Sequence, residues 1–267
     1  MQYIQATSTS LKKEMYEFLP FLCQFVGNES GVEVSQTCLK SLCYLSVCIT
    51  PSNAIPFALE MIWKVAQSES WKAKMSSLEF AQTFVFTNFM SLCLNEEYVK
   101  QIESLVVNFM SNERLQVRQK ATKILCGLIH SGFIDKEGQL RLLKDFRTKI
   151  RRKMTKKVTG SFKFKKEKPK NLANLTKAEL AAYHSGILGL SAMVEAYPYD
   201  VPEFVPDILI ELEKHLHDPQ PIPKTIKDSF QEFKRTHQDN WQEHKLKFTD
   251  DQLVVMTDLL VSPNYYA

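Results

Sequence analysis

"SNERLQVRQKATKILCGLI", Ser111 to Ile129, places polar residues in a turn, then the pair Val117-Arg118, then apolar residues at helical spacing. Two other stretches repeat that order. "SESWKAKMSSLEF" (Ser68 to Phe80) enters its helix at Trp71-Lys72, and "HDPQPIPKTIKDSF" (His217 to Phe230) enters at Pro223-Lys224. A turn and amphipathic helix that recur along a chain are the second halves of stacked helical hairpins, because one hairpin cannot bury its apolar face alone.

Reading outward from this stretch, helices alternate with short breaks. Ser35 to Ile49 carries Leu39, Leu42, Cys43 and Leu45 on one face, Pro51 interrupts, and Ala54 to Ala66 follows as the partner in a first hairpin. Helices are then expected over Trp71 to Leu94, Asn95 to Met110, Glu113 to His130 and Glu137 to about Lys156. After a basic loop, Thr176 with Glu179 three residues on forms a capping box for a helix that Pro198 stops near Tyr197. Val201 to His217, Pro223 to about His244 and Thr249 to Leu260 complete a set of about ten, the last with Asp250 and Asp251 at the positive end of its dipole. The hairpins resemble HEAT repeats. The fold class is all-α, an α-solenoid of HEAT-like hairpins, with an irregular helical bundle as the alternative. Residues 1–156 form one run of repeats, 157–175 the basic loop, 176–261 the C-terminal repeats and 262–267 a tail. A stack of this kind leaves the apolar face of its first hairpin uncovered, as at the end of something longer.

Composition agrees. Apolar residues make up 44% of the 267, enough for a sizeable core, and only 8 are glycine, which disfavours the many turns of an all-β fold. Six cysteines, Cys23, Cys38, Cys43, Cys48, Cys93 and Cys126, lie in apolar helical stretches without a C-x-x-C pair and read as reduced core residues of an intracellular protein. The opening residues lack the apolar run of a signal peptide, and no stretch reaches the length of a membrane span.

Chemistry of catalysis finds no support. There is no Gly-rich phosphate loop, no H-E-x-x-H and no G-x-S-x-G. His215 and His217 stand at i, i+2 and point to different helix faces, which disfavours a shared metal, and the histidines read as surface residues. The expectation is a binding protein that is not an enzyme and requires no cofactor.

The net charge of +4 hides an asymmetry. Between Arg141 and Lys170 fourteen Lys or Arg stand against Asp145 and Glu167, so the rest of the chain is acidic by about eight charges. "KIRRKMTKKVTGSFKFKKEKPK" (Lys149 to Lys170) admits three readings: a bipartite nuclear import signal, a polyanion grip, or a solvated loop. The residues concerned are Lys149, Arg151, Arg152, Lys153, Lys156, Lys157, Lys163, Lys165 and Lys166. Phe162 and Phe164 between the lysines add stacking surface of the kind found at nucleic-acid sites. One functional expectation is therefore a nuclear scaffold that binds chromatin or nucleic acid through residues 149–170.

A second expectation comes from the C-terminal third. "PYDVP", "HLHDPQPI", "FKRTHQDNWQEHK", "FTDDQL" and "TDLLVSP" follow one another between Pro198 and Pro263, preceded by "HSGILGLSAMVEAYP", and "NFMSNERLQVRQKAT" stands upstream. In this order the motifs resemble the C-terminal portion of the proteasome activator complex subunit 4 family, very large single-chain HEAT-repeat activators of the proteasome. The resemblance implies docking of a hydrophobic, Tyr, any-residue tail between α-subunits of the proteasome core particle, here Tyr265, Tyr266 and the carboxylate of Ala267, with gate opening that needs neither ATP nor ubiquitin. It implies a nuclear and cytoplasmic location, a part in histone degradation during DNA repair and spermatogenesis, and inositol phosphates bound at basic openings. It also implies a bromodomain-like region, about residues 70–156, in which an Asn-Phe pair reads acetyl-lysine on histones. In "LIHSGFI" (Leu128 to Ile134) the matching residues are Gly132 and Phe133, and glycine has no amide to offer an acetyl carbonyl. The simpler reading of Gly132 is a helix C-cap with Phe133 packed behind it.

Overall fold

A computed structural model describes residues 12–27, 31–151 and 175–260. Among these residues the chain is helical throughout, without a strand. It divides into two compact units, Met1–Ile134 and Asp135–Ala267.

The first unit opens with a 3-10 turn, Lys13–Phe18, and seven helices: α1 (Leu19–Gly27), α2 (Val32–Ser46), α3 (Ile55–Ala66), α4 (Trp71–Thr87), α5 (Phe89–Cys93), α6 (Glu96–Met110) and α7 (Leu115–His130). Helix α2 packs chiefly on α1 and α4, while α3 pairs with α4. The first hairpin is therefore α1/α2 and not α2/α3, a correction to the sequence reading. Pro20 falls in the first turn of α1, where the missing N–H has no helical partner to lose. The α3/α4 hairpin rests on the α6/α7 hairpin, α3 against α6 and α4 against α7, which is the stacking that repeats require.

The helix expected over residues 71–94 is interrupted at Asn88. This buried amide accepts the Thr50 N–H at 2.7 Å and donates to the carbonyls of Phe84 (3.0 Å) and Cys48 (3.4 Å), tying the loop after α2 to the end of α4. Thr50 Oγ1 lies 2.6 Å from the Tyr16 hydroxyl, whose ring packs edge-on to Phe80 and Phe84. Burial pushes that phenol up to about 12.

The opening stretch now has a physical explanation. Arg118 lies buried in the α6/α7 hairpin and donates through Nη1 to the turn carbonyls of Asn112 (2.7 Å) and Glu113 (2.9 Å). The two turn carbonyls give this buried guanidinium hydrogen-bond partners, and the pairing ties the turn to α7.

The second unit holds α8 (Lys136–Ile150), α9 (Lys177–Glu195), α10 (Phe204–Glu213), α11 (Ile222–His237), the short α12 (Trp241–His244) and α13 (Asp250–Leu260). Helix α9 is central and packs on α8, α10 and α11. The expected capping box is present: Thr176 Oγ1 accepts the Glu179 N–H at 3.2 Å, and Glu179 Oε2 accepts the Thr176 N–H at 2.9 Å. Three expected helices are shorter. Helix α8 ends at Ile150 with Arg151 extended, α10 stops at Glu213, and α11 stops at His237 before Asn240 starts a new turn.

Two readings of side chains are corrected. His184, His215, His237 and His244 are buried and only His130 and His217 exposed, because imidazoles here find partners such as Thr225 Oγ1, 2.8 Å from His184 Nε2. Of the six free cysteines, Cys23 and Cys38 are buried and Cys43 and Cys93 are exposed, since the latter fall on outward faces of their helices. Burial pushes the Cys23 thiol up to about 12.

Candidate functional site

The residues proposed for docking, Tyr265, Tyr266 and Ala267, lie outside the described residues, as do Arg152, Lys153, Lys156, Lys157, Lys163, Lys165 and Lys166. What the structure does describe is the element from which the tail leaves. Helix α13 packs on α10 and α11 and seats Met256 fully buried. Its start carries a second capping box that the sequence reading missed: Thr249 Oγ1 accepts the Gln252 N–H at 3.3 Å while Gln252 Oε1 accepts the Thr249 N–H at 3.0 Å. The T-x-x-Q of "FTDDQL" was the signal. Gln252 Nε2 also donates to Asp207 Oδ1 on α10 at 3.0 Å, so one side chain both starts the helix and ties it down. Asp250 and Asp251 occupy the first turn as expected, where the helix dipole favours them.

Two of the basic residues are described. Lys149 places its ammonium 5.6 Å from the centroid of the Phe146 ring, and burial lowers its pKa. Arg151, the C-cap of α8, is exposed. The two differ in what they can offer an anion: Lys149 must first leave an aromatic face, whereas Arg151 stands in solvent.

Gly132 has φ of +74°, a conformation that L side chains rarely adopt. Its N–H donates to the Ile129 carbonyl at 3.0 Å, and that of Ile134 to the Leu128 carbonyl at 3.2 Å, closing the end of α7. Phe133 is 3% exposed and packs edge-on to Phe89 at 5.5 Å. The glycine presents no amide and the ring is spent on the core, so the pair serves as a helix stop.

The motif "HLHDPQPI" builds a buried polar cluster. Tyr183 Oη donates to Asp218 Oδ2 at 3.0 Å, and His215 Nδ1 lies 2.8 Å from the same oxygen and 2.9 Å from Tyr183 Oη. Asp218 is an acceptor for both, so His215 carries an N–H at Nδ1. Among the described residues no group of His, Cys, Asp and Glu could hold a metal ion, and no helix is long and apolar enough to cross a membrane.

A family model described as proteasome activator complex subunit 4-like, C-terminal, matches residues 180–267. Human proteasome activator complex subunit 4 is 38% identical over 258 residues, 95% of this chain and 14% of its own length. Zebrafish proteasome activator complex subunit 4B is 36% identical over 97% of the chain and 14% of its length, and yeast proteasome activator BLM10 is 27% identical over 71% and 8%. A designed armadillo repeat protein overlays at a TM-score of 0.35 with 12% identity, a match too loose to argue from. The chain thus spans about a seventh of the length of the human and zebrafish relatives it matches, and less of the yeast one. By the extent of these matches it belongs to the proteasome activator complex subunit 4 family, as a counterpart of that family's C-terminal region.

Proposed function

We propose that the chain is the proteasome-docking end of a non-catalytic activator that needs neither ATP nor ubiquitin, and that it engages the α-ring of the core particle through Tyr265, Tyr266 and the carboxylate of Ala267. The observation that carries this reading is that the match to the family's C-terminal model extends to residue 267, the tail included. The mechanism needs only differential affinity. A tail that binds the open arrangement of the ring better than the closed one shifts the gate towards opening in proportion to that difference. The carboxylate supplies a charged partner for a lysine, and the Tyr266 ring fills a cleft while its hydroxyl finds a backbone acceptor. Anchorage of α13 through Gln252 and Met256 reduces the freedom lost when the tail docks.

The same reading places the protein in nucleus and cytoplasm and gives it a part in histone turnover during DNA repair and spermatogenesis. Selection of acetylated histones would then reside outside Gly132-Phe133, and the basic segment 149–170 would contribute to inositol phosphate binding. Co-sedimentation of the chain with purified core particles, with and without its last three residues, tests the proposal. Binding and peptide turnover that vanish with the truncation support it; binding that survives sinks it and favours the chromatin scaffold acting through residues 149–170.

A further inference from the structure

An open groove of about 690 Å³ lies within the second unit, formed by α8, α10 and α13. Its two carboxylates are already engaged: Glu211 Oε2 receives Arg147 Nε at 2.7 Å, and Asp207 Oδ1 receives Gln252 Nε2 at 3.0 Å. Arg151 and Lys214, both exposed, line the same groove and have no carboxylate partner among the described residues. One wall is His215, only 8% exposed, with Nδ1 turned inward to Asp218 and Tyr183. With Nδ1 engaged by Asp218 and Tyr183, the ring is held in place at the groove wall. Ile150 and Ile210 add apolar surface to the lining.

We propose that this groove docks an acidic peptide segment of a partner protein. Two uncompensated cations suit side-chain carboxylates, and the isoleucines suit one apolar side chain between the acids. A free phosphate uses the cations alone and has nothing to set on the isoleucines. The combination therefore favours a peptide over an inorganic anion. The site does not depend on the tail, and its test needs no core particle, so its outcome is separate from that of the docking proposal.

Fluorescence anisotropy of a labelled Glu-Asp-Leu-Glu-Asp peptide with the full chain is the experiment. The expected result is saturable binding that weakens by about tenfold or more in R151E/K214E, equivalent to about 1.4 kcal/mol. Both side chains are exposed, so circular dichroism should show the variant folded. Absence of binding, unchanged affinity in R151E/K214E, equal binding of the peptide with lysines in place of its acids, or displacement by an equimolar amount of inorganic phosphate would each overturn the proposal. Resistance to that phosphate, together with loss in the charge-reversed variant, supports it.

Discussion

A methyl group at Gly189 would sit 2.4 Å from ring carbons of Phe146, and one at Gly186 would meet the Phe146 carbonyl at 2.9 Å and Ile150 Cγ2 at 2.6 Å. These two glycines let α9 approach α8 closely. Gly189→Ala should therefore destabilise the chain by about 1–3 kcal/mol in urea titration, because the ring it strikes is fully buried and cannot step aside. Gly127→Ala is the contrast: its nearest neighbour is a Phe86 ring carbon at an ordinary 3.5 Å, so the helix gains up to about 1 kcal/mol from the better former. An unchanged Gly189→Ala midpoint would contradict the close approach. "HSGILGLS" was legible as helix, but not the reason for its glycines, which depends on a ring far away in sequence. Gly132 was legible from its neighbours alone, since a helix stop is local. Asparagine, which tolerates a positive φ, should substitute there at a smaller cost in midpoint than alanine.

At the scale of elements, helices with clear periodicity and caps stood out in the sequence, and those decided by tertiary contacts did not. Helix α1 was not read from the sequence, and the break at Asn88 draws on hydrogen bonds to Thr50 and Cys48, which no local window contains. The 3-10 turn and α1 present Phe18 (63% exposed), Phe21 (62%) and Phe25 (43%) outward at i, i+3, i+7, an apolar face outside the hairpin that the sequence reading put first. Phe21→Ser should accordingly leave the melting temperature within about 2 °C, the range of a surface change, while lowering binding of a hydrophobic dye. A sharp fall in stability would mean that this face is packed. At the other end, Thr249→Ala removes the acceptor that begins α13 and should cost about 1 kcal/mol of local stability. Hydrogen exchange is the right measurement, because the loss should appear in amides of residues 250–260 and spare α9. Uniform loss across the unit would show that α13 is not a separable element.

For the molecule as a whole, the charge asymmetry was plain in the sequence, yet its basic centre falls mostly among residues outside those described, and the titrating group to follow is the buried His237. His237 is 2% exposed, stacked on Phe233 at 4.1 Å, with Nε2 3.2 Å from the Asp200 carbonyl and the His244 ring 4.9 Å away. Burial, reinforced by His244, lowers its pKa below the ordinary value despite the carbonyls that favour the cation. The sign follows from linkage. Above about pH 6.5 the imidazole is neutral folded or unfolded, and the group adds no slope. As the pH falls below that value the unfolded chain takes up a proton that the folded ring refuses, so stability declines until the folded ring also titrates. One such group contributes a slope of at most about 1.4 kcal/mol per pH unit. Urea midpoints measured from pH 8 to pH 5 should fall mainly below pH 6.5, and His237→Gln should flatten that fall even if it lowers the whole curve. A variant with the wild-type slope would show that His237 is not the group that couples folding to protons.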